Sequence, residues 1–93
     1  IIDGKTYPIQ NWSNGGVMLT GDARLFGMND VKEIIMKFKL AERVIDVPHR
    51  GRVLRKGNNE FVLEFSPLTE SVDNKFKMVI DDYNAREFAN SQA

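Results

Sequence analysis

The hydrophobic pattern of this chain changes period once, at Ser66-Pro67. Ahead of that point apolar residues alternate with polar ones: Phe61, Leu63 and Phe65 with Val62 and Glu64, and Ile34, Met36, Phe38 and Leu40 with Ile35, Lys37 and Lys39. Beyond it, Val72, Phe76, Val79, Ile80 and Tyr83 recur at helical spacing, with Asp73, Lys77, Asp81 and Asp82 on the other side. A chain with period two followed by a single stretch of period 3.6 folds as a run of strands closed by one helix. Ser66 as N-cap and Pro67 at the first helical position predict that the helix opens there and runs to Phe88. Leu68, Met78 and Phe88 lie off its main stripe, and 90–93 reads as a fraying tail.

The strands are delimited by turn residues. Asp3-Gly4 between apolar and β-branched residues predicts a hairpin over 1–9, and Pro8 places its second arm at an edge or bulge. Asn14–Thr20 is a strand ended by Gly21-Asp22; in the connection Ala23–Gly27, Leu25 and Phe26 are expected to tuck inward. Val31–Leu40 also carries helical spacing at Val31, Ile34, Ile35 and Phe38 behind a possible Asn29-Asp30 cap, but the alternation assigns it to a strand. Val44–Val47 and Gly51–Arg55 form one long strand bent near Pro48, and Lys56–Asn59 turns the chain into the last strand. The expectation is mainly β: a small, closed, six-stranded antiparallel barrel with one C-terminal helix over an open end or face. No repeat or linker divides residues 1–93, so they read as a single domain. Ile1-Ile2 reads as the middle of a strand, which suggests a domain excised from, or truncated at the N-terminus of, a longer protein.

Composition narrows function. Zero formal net charge gives no global attraction to nucleic acid or to an anionic membrane, and no apolar run nears the roughly 20 residues that span a bilayer. The absence of cysteine excludes disulfides, thiolate metal sites and cysteine nucleophiles, and fits a cytoplasmic location.

The stretch with recognition chemistry is Asn11-Trp12-Ser13-Asn14-Gly15-Gly16. Asn11 and Ser13 point the same way on an extended backbone and together offer donors and acceptors for a planar polar edge such as a purine. Gly15 and Gly16 permit positive φ and close approach of a ligand to the main chain. The same residues are also ordinary turn chemistry, with Trp12 a core residue.

Asn11-x-Ser13-x-x-Gly16 opening an apolar strand resembles the second signature of the PilZ family, bacterial receptor domains for cyclic di-GMP. The order of elements after it is similar too: strands at 15–19 and 34–40, Gly51-x-Val53-x-Arg55, a strand ending at Phe65, and a closing helix. The resemblance implies a PilZ-like split barrel and a second-messenger sensing module that controls exopolysaccharide production, motility or another surface behaviour through an attached or partner output domain. It implies that Asn11 and Ser13 bond a guanine edge, that Gly16, and with it Gly15, allows close approach, and that Arg55 stacks on guanine or holds phosphate. Two departures stand out. The family's first signature, Arg-x-x-x-Arg, is absent ahead of Asn11, and Asn11 replaces the commoner aspartate. The alternative is therefore a PilZ-fold protein–protein interaction module that binds no nucleotide; an unrelated small barrel of the oligonucleotide-binding type is a third option. Both PilZ readings ask for a six-stranded barrel with Asn11 and Ser13 at its rim.

His49–Lys56 is the one basic concentration, but strict alternation sends Arg50 and Arg52 to one face and Arg55 to the other unless a bulge intervenes. A neutral domain without interleaved surface aromatics argues against a nucleic-acid polymer as partner. His49 reads as a surface or turn residue, no cluster has metal spacing, and Ser13 lacks the context of a nucleophile, so neither catalysis nor a cofactor or metal is expected.

Overall fold

The computed structural model describes the backbone of residues 1–92 and the side chains of residues 1–86. Five strands, β1 (Ile9–Trp12), β2 (Gly16–Thr20), β3 (Val31–Lys39), β4 (Val44–Gly57) and β5 (Glu60–Phe65), precede one helix, α1 (Glu70–Gln92). All neighbours are antiparallel, in the order β1-β2-β5-β4-β3. Val31–Lys39 is thus a strand, as the alternation predicts, with Ile34 and Met36 buried in it and Leu40 buried just beyond its end.

The sheet curls into a half-barrel, which corrects the expectation of a closed six-stranded barrel. Its edges, β1 and β3, share no ladder; they meet through side chains, with the Trp12 and Phe38 rings 5.0 Å apart. The expected N-terminal hairpin is reduced to its turn. Asp3 (φ 51°) and Gly4 (φ 79°) both take the positive φ of a two-residue hairpin turn, and Ile2 and Lys5 exchange backbone hydrogen bonds of 2.9 and 3.0 Å. Beyond the turn the arms part: Ile2 bridges to Ile34 on β3, whereas Pro8 accepts a hydrogen bond from the Thr20 amide and leads into β1. The N-terminal segment therefore spans from one sheet edge to the other. Beneath it lies a slot of about 220 Å³ whose floor includes the buried Val17, Leu19, Ile34 and Met36.

β4 is continuous through Pro48 for a definite reason. Ile35, which faces Pro48, turns its own N–H toward the carbonyl of Ile1 at 3.1 Å, so the Ile35–Pro48 pair needs no ladder bond from a proline nitrogen. On its other side β4 pairs with β5 only from Gly51 onward.

The inner face of the sheet packs Val17, Val47, Val53, Phe61 and Leu63 against Val72 and Phe76 of the helix. Trp12 joins this core partly buried, its ring 4.9 Å from that of Phe76. In the connection after β2, Phe26 is buried but Leu25 is exposed, so only one of the two expected residues tucks inward.

The helix begins three residues later than Ser66-Pro67 predicts. Ser66 stays with the sheet, donating its N–H to the Arg50 carbonyl at 3.0 Å, and Thr69 caps instead, its Oγ1 accepting from the Val72 N–H at 3.2 Å. Glu70 and Asp73 add negative charge to the first turn. Val72, Phe76 and Val79 are buried, but Ile80 and Tyr83, which continue the predicted stripe, are largely exposed. The helix is held there by polar contacts instead. Asp82 accepts the Ala41 N–H at 3.3 Å and pairs with Arg86, whose guanidinium also donates to the Lys39 carbonyl at 2.7 Å. The hydrogen bond from Arg86 holds the Asp82 carboxyl below its ordinary pKa. Asp82, expected as a plain surface residue, therefore ties the helix to the β3–β4 turn. Phe88 and residues 90–93 lie outside the residues whose side chains are described.

Candidate ligand-binding site

The candidate site is built on the hairpin between β1 and β2. Ser13 donates its N–H to the Gly16 carbonyl at 2.9 Å, closing the turn, and the Phe65 N–H reaches the Gly15 carbonyl at 2.9 Å, anchoring it to the end of β5. Pairing shifts between Ile9 and Asn11, so a bulge precedes Asn11. Asn11 Oδ1 accepts from the Trp12 N–H at 2.9 Å and Ser13 Oγ from the Gly15 N–H at 3.2 Å. These local bonds pin both side chains, leaving the Asn11 amide NH₂ and the Ser13 hydroxyl proton to donate outward.

The two glycines differ. Neither has positive φ, contrary to the freedom that the sequence suggests. Gly16 is required by packing: a Cβ there would lie 2.4 Å from the Leu63 carbonyl oxygen across the β2–β5 ladder. At Gly15 a Cβ would meet nothing closer than Ser13 Oγ at 3.7 Å.

Arg55 arrives from β4. Val53 pairs with Leu63 but Arg55 with Val62, so Leu54 forms a bulge. Without it, alternation from the buried Val53 would aim Arg55 inward; with it, Arg55 emerges on the outer face alongside Arg50 and Arg52. Arg50 is drawn to Glu33 (3.3 Å) and Arg52 to Glu64 (2.8 Å), whereas no described residue forms an ion pair with Arg55.

The structure thus brings Asn11, Ser13, Gly15, Gly16 and Arg55 around one depression of about 290 Å³. Met18, Leu54 and Val62 give it an apolar floor, and Glu64 stands on its wall. A flat ring laid on that floor would meet amide and hydroxyl donors on one side and a guanidinium on the other.

Sequence reasoning missed a second, larger depression of about 780 Å³ on β3, β4 and the approach to α1, lined among others by Glu33, Pro48, His49, Arg50 and Ser66. His49 is not a plain surface or turn residue. It lies within β4, half-buried, with Nε2–H donating to the Ser66 carbonyl at 2.8 Å and the ring edge-on to Phe65. The available signal was parity, since His49 shares the face of the inward-facing Val47 and Val53. Among the described residues, no three His, Asp or Glu side chains converge as metal ligands, and no helix is long and apolar enough to cross a membrane. Compared with known proteins, the chain matches no family model and no curated protein.

Proposed function

We propose that this domain is a PilZ-like receptor module for cyclic di-GMP, working within a bacterial signalling protein that controls exopolysaccharide production or motility. The observation that carries this reading is the meeting of Asn11, Ser13 and Arg55 around one depression, with Arg55 turned there by the Leu54 bulge and held by no described carboxylate. In this reading the guanine face lies on Met18, Leu54 and Val62. Asn11 and Ser13 donate to the base edge, and the Arg55 guanidinium stacks or holds phosphate in the bidentate way its geometry favours. The module is not an enzyme, and its output is a change in whatever contacts it differently with and without ligand. The reading rests on this site and not on the barrel, since the sheet is a five-stranded half-barrel where the resemblance asks for six closed strands.

One set of contacts favours the second reading, a protein-interaction module of the same fold. Asn11 Oδ1 and Ser13 Oγ already serve backbone N–H groups, and Gly16 is accounted for by the Leu63 carbonyl. Calorimetric titration with cyclic di-GMP decides between them, using this chain and a form lengthened upstream that carries Arg-x-x-x-Arg. The receptor reading expects binding by the lengthened form, weakened by about 1–3 kcal/mol in Asn11→Ala or Ser13→Ala. Silence from both forms would leave the interaction module.

A further inference from the structure

The slot between the N-terminal segment and the edge of β3 has the form of a small-molecule cavity. Ile2, Ile9, Val17, Leu19, Ile34 and Met36 line it, and its volume is about 220 Å³. The two sheet edges share no ladder, so the gap between β1 and β3 is roofed by the N-terminal segment instead of closed by a strand pair. A cavity of about 150 Å³ walled by aliphatic and aromatic side chains stays dry and takes up a small apolar guest. This slot is larger, with walls of the same kind. At the roughly 30 Å³ that a water-sized group occupies in a liquid, it holds about seven methylene-sized groups.

The rim is polar. Ile35 turns its N–H to the Ile1 carbonyl, so the next N–H facing that edge is that of Lys37, and no described residue bonds it. Lys37 is also the one charged side chain of the lining, which contains no carboxylate. Its ammonium lies 3.4 Å from Asp46 with about half of each side chain exposed, a loose surface pair that leaves room for a second anion.

We propose that this slot binds a straight-chain aliphatic carboxylate of about eight carbons. The alkyl chain lies on Val17, Leu19, Ile34 and Met36. The carboxylate stays at the rim, where it accepts the Lys37 N–H and faces the Lys37 ammonium. Charge then selects the acid over the alcohol of the same length, and the volume of the slot limits the chain. The slot belongs to the inner side of the sheet and Arg55 to the outer, so this inference goes beyond the nucleotide reading and does not depend on it.

The test titrates sodium octanoate into the 93-residue chain and follows it by NMR. The methyl signals of Val17, Leu19, Ile34 and Met36 and the Lys37 amide are expected to shift together and to saturate. Butyrate should bind about tenfold more weakly or worse, since each buried methylene is worth roughly fourfold. Lys37→Glu, a change at an exposed side chain that leaves the slot walls intact, should weaken octanoate by about fivefold or more and leave 1-octanol unaffected. Silence of these signals in millimolar octanoate overturns the proposal. So do shifts that never saturate or that gather at the exposed Leu25, Val44 and Tyr83, which would mark adsorption to apolar surface. Equal affinity for octanoate and 1-octanol in both parent and variant would overturn the assignment of a carboxylate.

Discussion

The central strands β2, β5 and β4 present two faces built by the same backbone under different rules. On the inner face Val17, Leu63 and Val53 lie in register across the three strands, each 2% exposed or less. On the outer face Met18, Val62 and Arg55 lie in register, half-buried or exposed, with Leu54 bulged beside them. The inner face tolerates no irregularity, because a slip of one residue would carry apolar side chains into water. The outer face accommodates one extra residue, and that residue is what turns a guanidinium toward the Asn11–Gly16 turn. Under the receptor reading, stability and recognition are thus separated by the pleat of one sheet.

The sharpest way to break this contrast is to truncate both faces at adjacent positions. Leu63→Ala removes a fully buried side chain and should cost about 2–5 kcal/mol in denaturant unfolding, whereas Val62→Ala should cost well under half of that. Equal costs would mean that the faces are not distinct. Next in size is the pair of glycines. Gly16→Ala forces a Cβ against the Leu63 carbonyl and should cost about 1–3 kcal/mol, while Gly15→Ala, whose Cβ would make only an ordinary contact with Ser13 Oγ, should be nearly neutral. A tolerated Gly16→Ala would return that glycine to a role in ligand approach. Arg55→Ala then separates stability from recognition. Exposed and outside any ion pair with a described residue, Arg55 should change unfolding by no more than about 0.5 kcal/mol. Under the receptor reading its loss should weaken cyclic di-GMP binding by about 1.5–3 kcal/mol, since a charged hydrogen-bonding partner is removed. Unchanged affinity would take Arg55 out of the site.

What could be read from the sequence follows the same division. Alternation at Ile34–Leu40 and Phe61–Phe65 exposed the inner face directly, because burial imposes a strict period on residue type. The Leu54 bulge left no such mark: one extra residue in a strand is compatible with any side chain, and strict alternation sets Arg55 opposite Arg52. Ser66-Pro67 carried a legitimate helix-start signal, but the Arg50 carbonyl and His49 ring claimed Ser66, and capping passed to Thr69. Openness of the sheet was equally invisible, since it depends on how much of Ile1–Ile9 pairs with β3 rather than on whether it has strand character. The Asn11–Gly16 turn was legible as a place, although its glycines act through packing and not through positive φ.

The smallest effect concerns the polar end of the helix, where packing gives way to charge. Beyond Val79 the helix leaves Ile80 41% and Tyr83 62% exposed, and Asp82 with Arg86 ties it to the β3–β4 turn. Arg86 lowers the pKa of Asp82 in the folded state below its unfolded value, so the pair's contribution is complete above the unfolded pKa. It is lost as pH falls through the folded pKa, that is, below about pH 4. Asp82→Asn keeps an acceptor for the Ala41 N–H but removes the charge. The variant should be slightly less stable than the parent at neutral pH, and the difference should close as pH falls toward 2. Exposure of the pair keeps the effect small and screened by salt. A gap that persists undiminished at low pH would mean that Asp82 acts through its hydrogen bond to the turn and not through its charge.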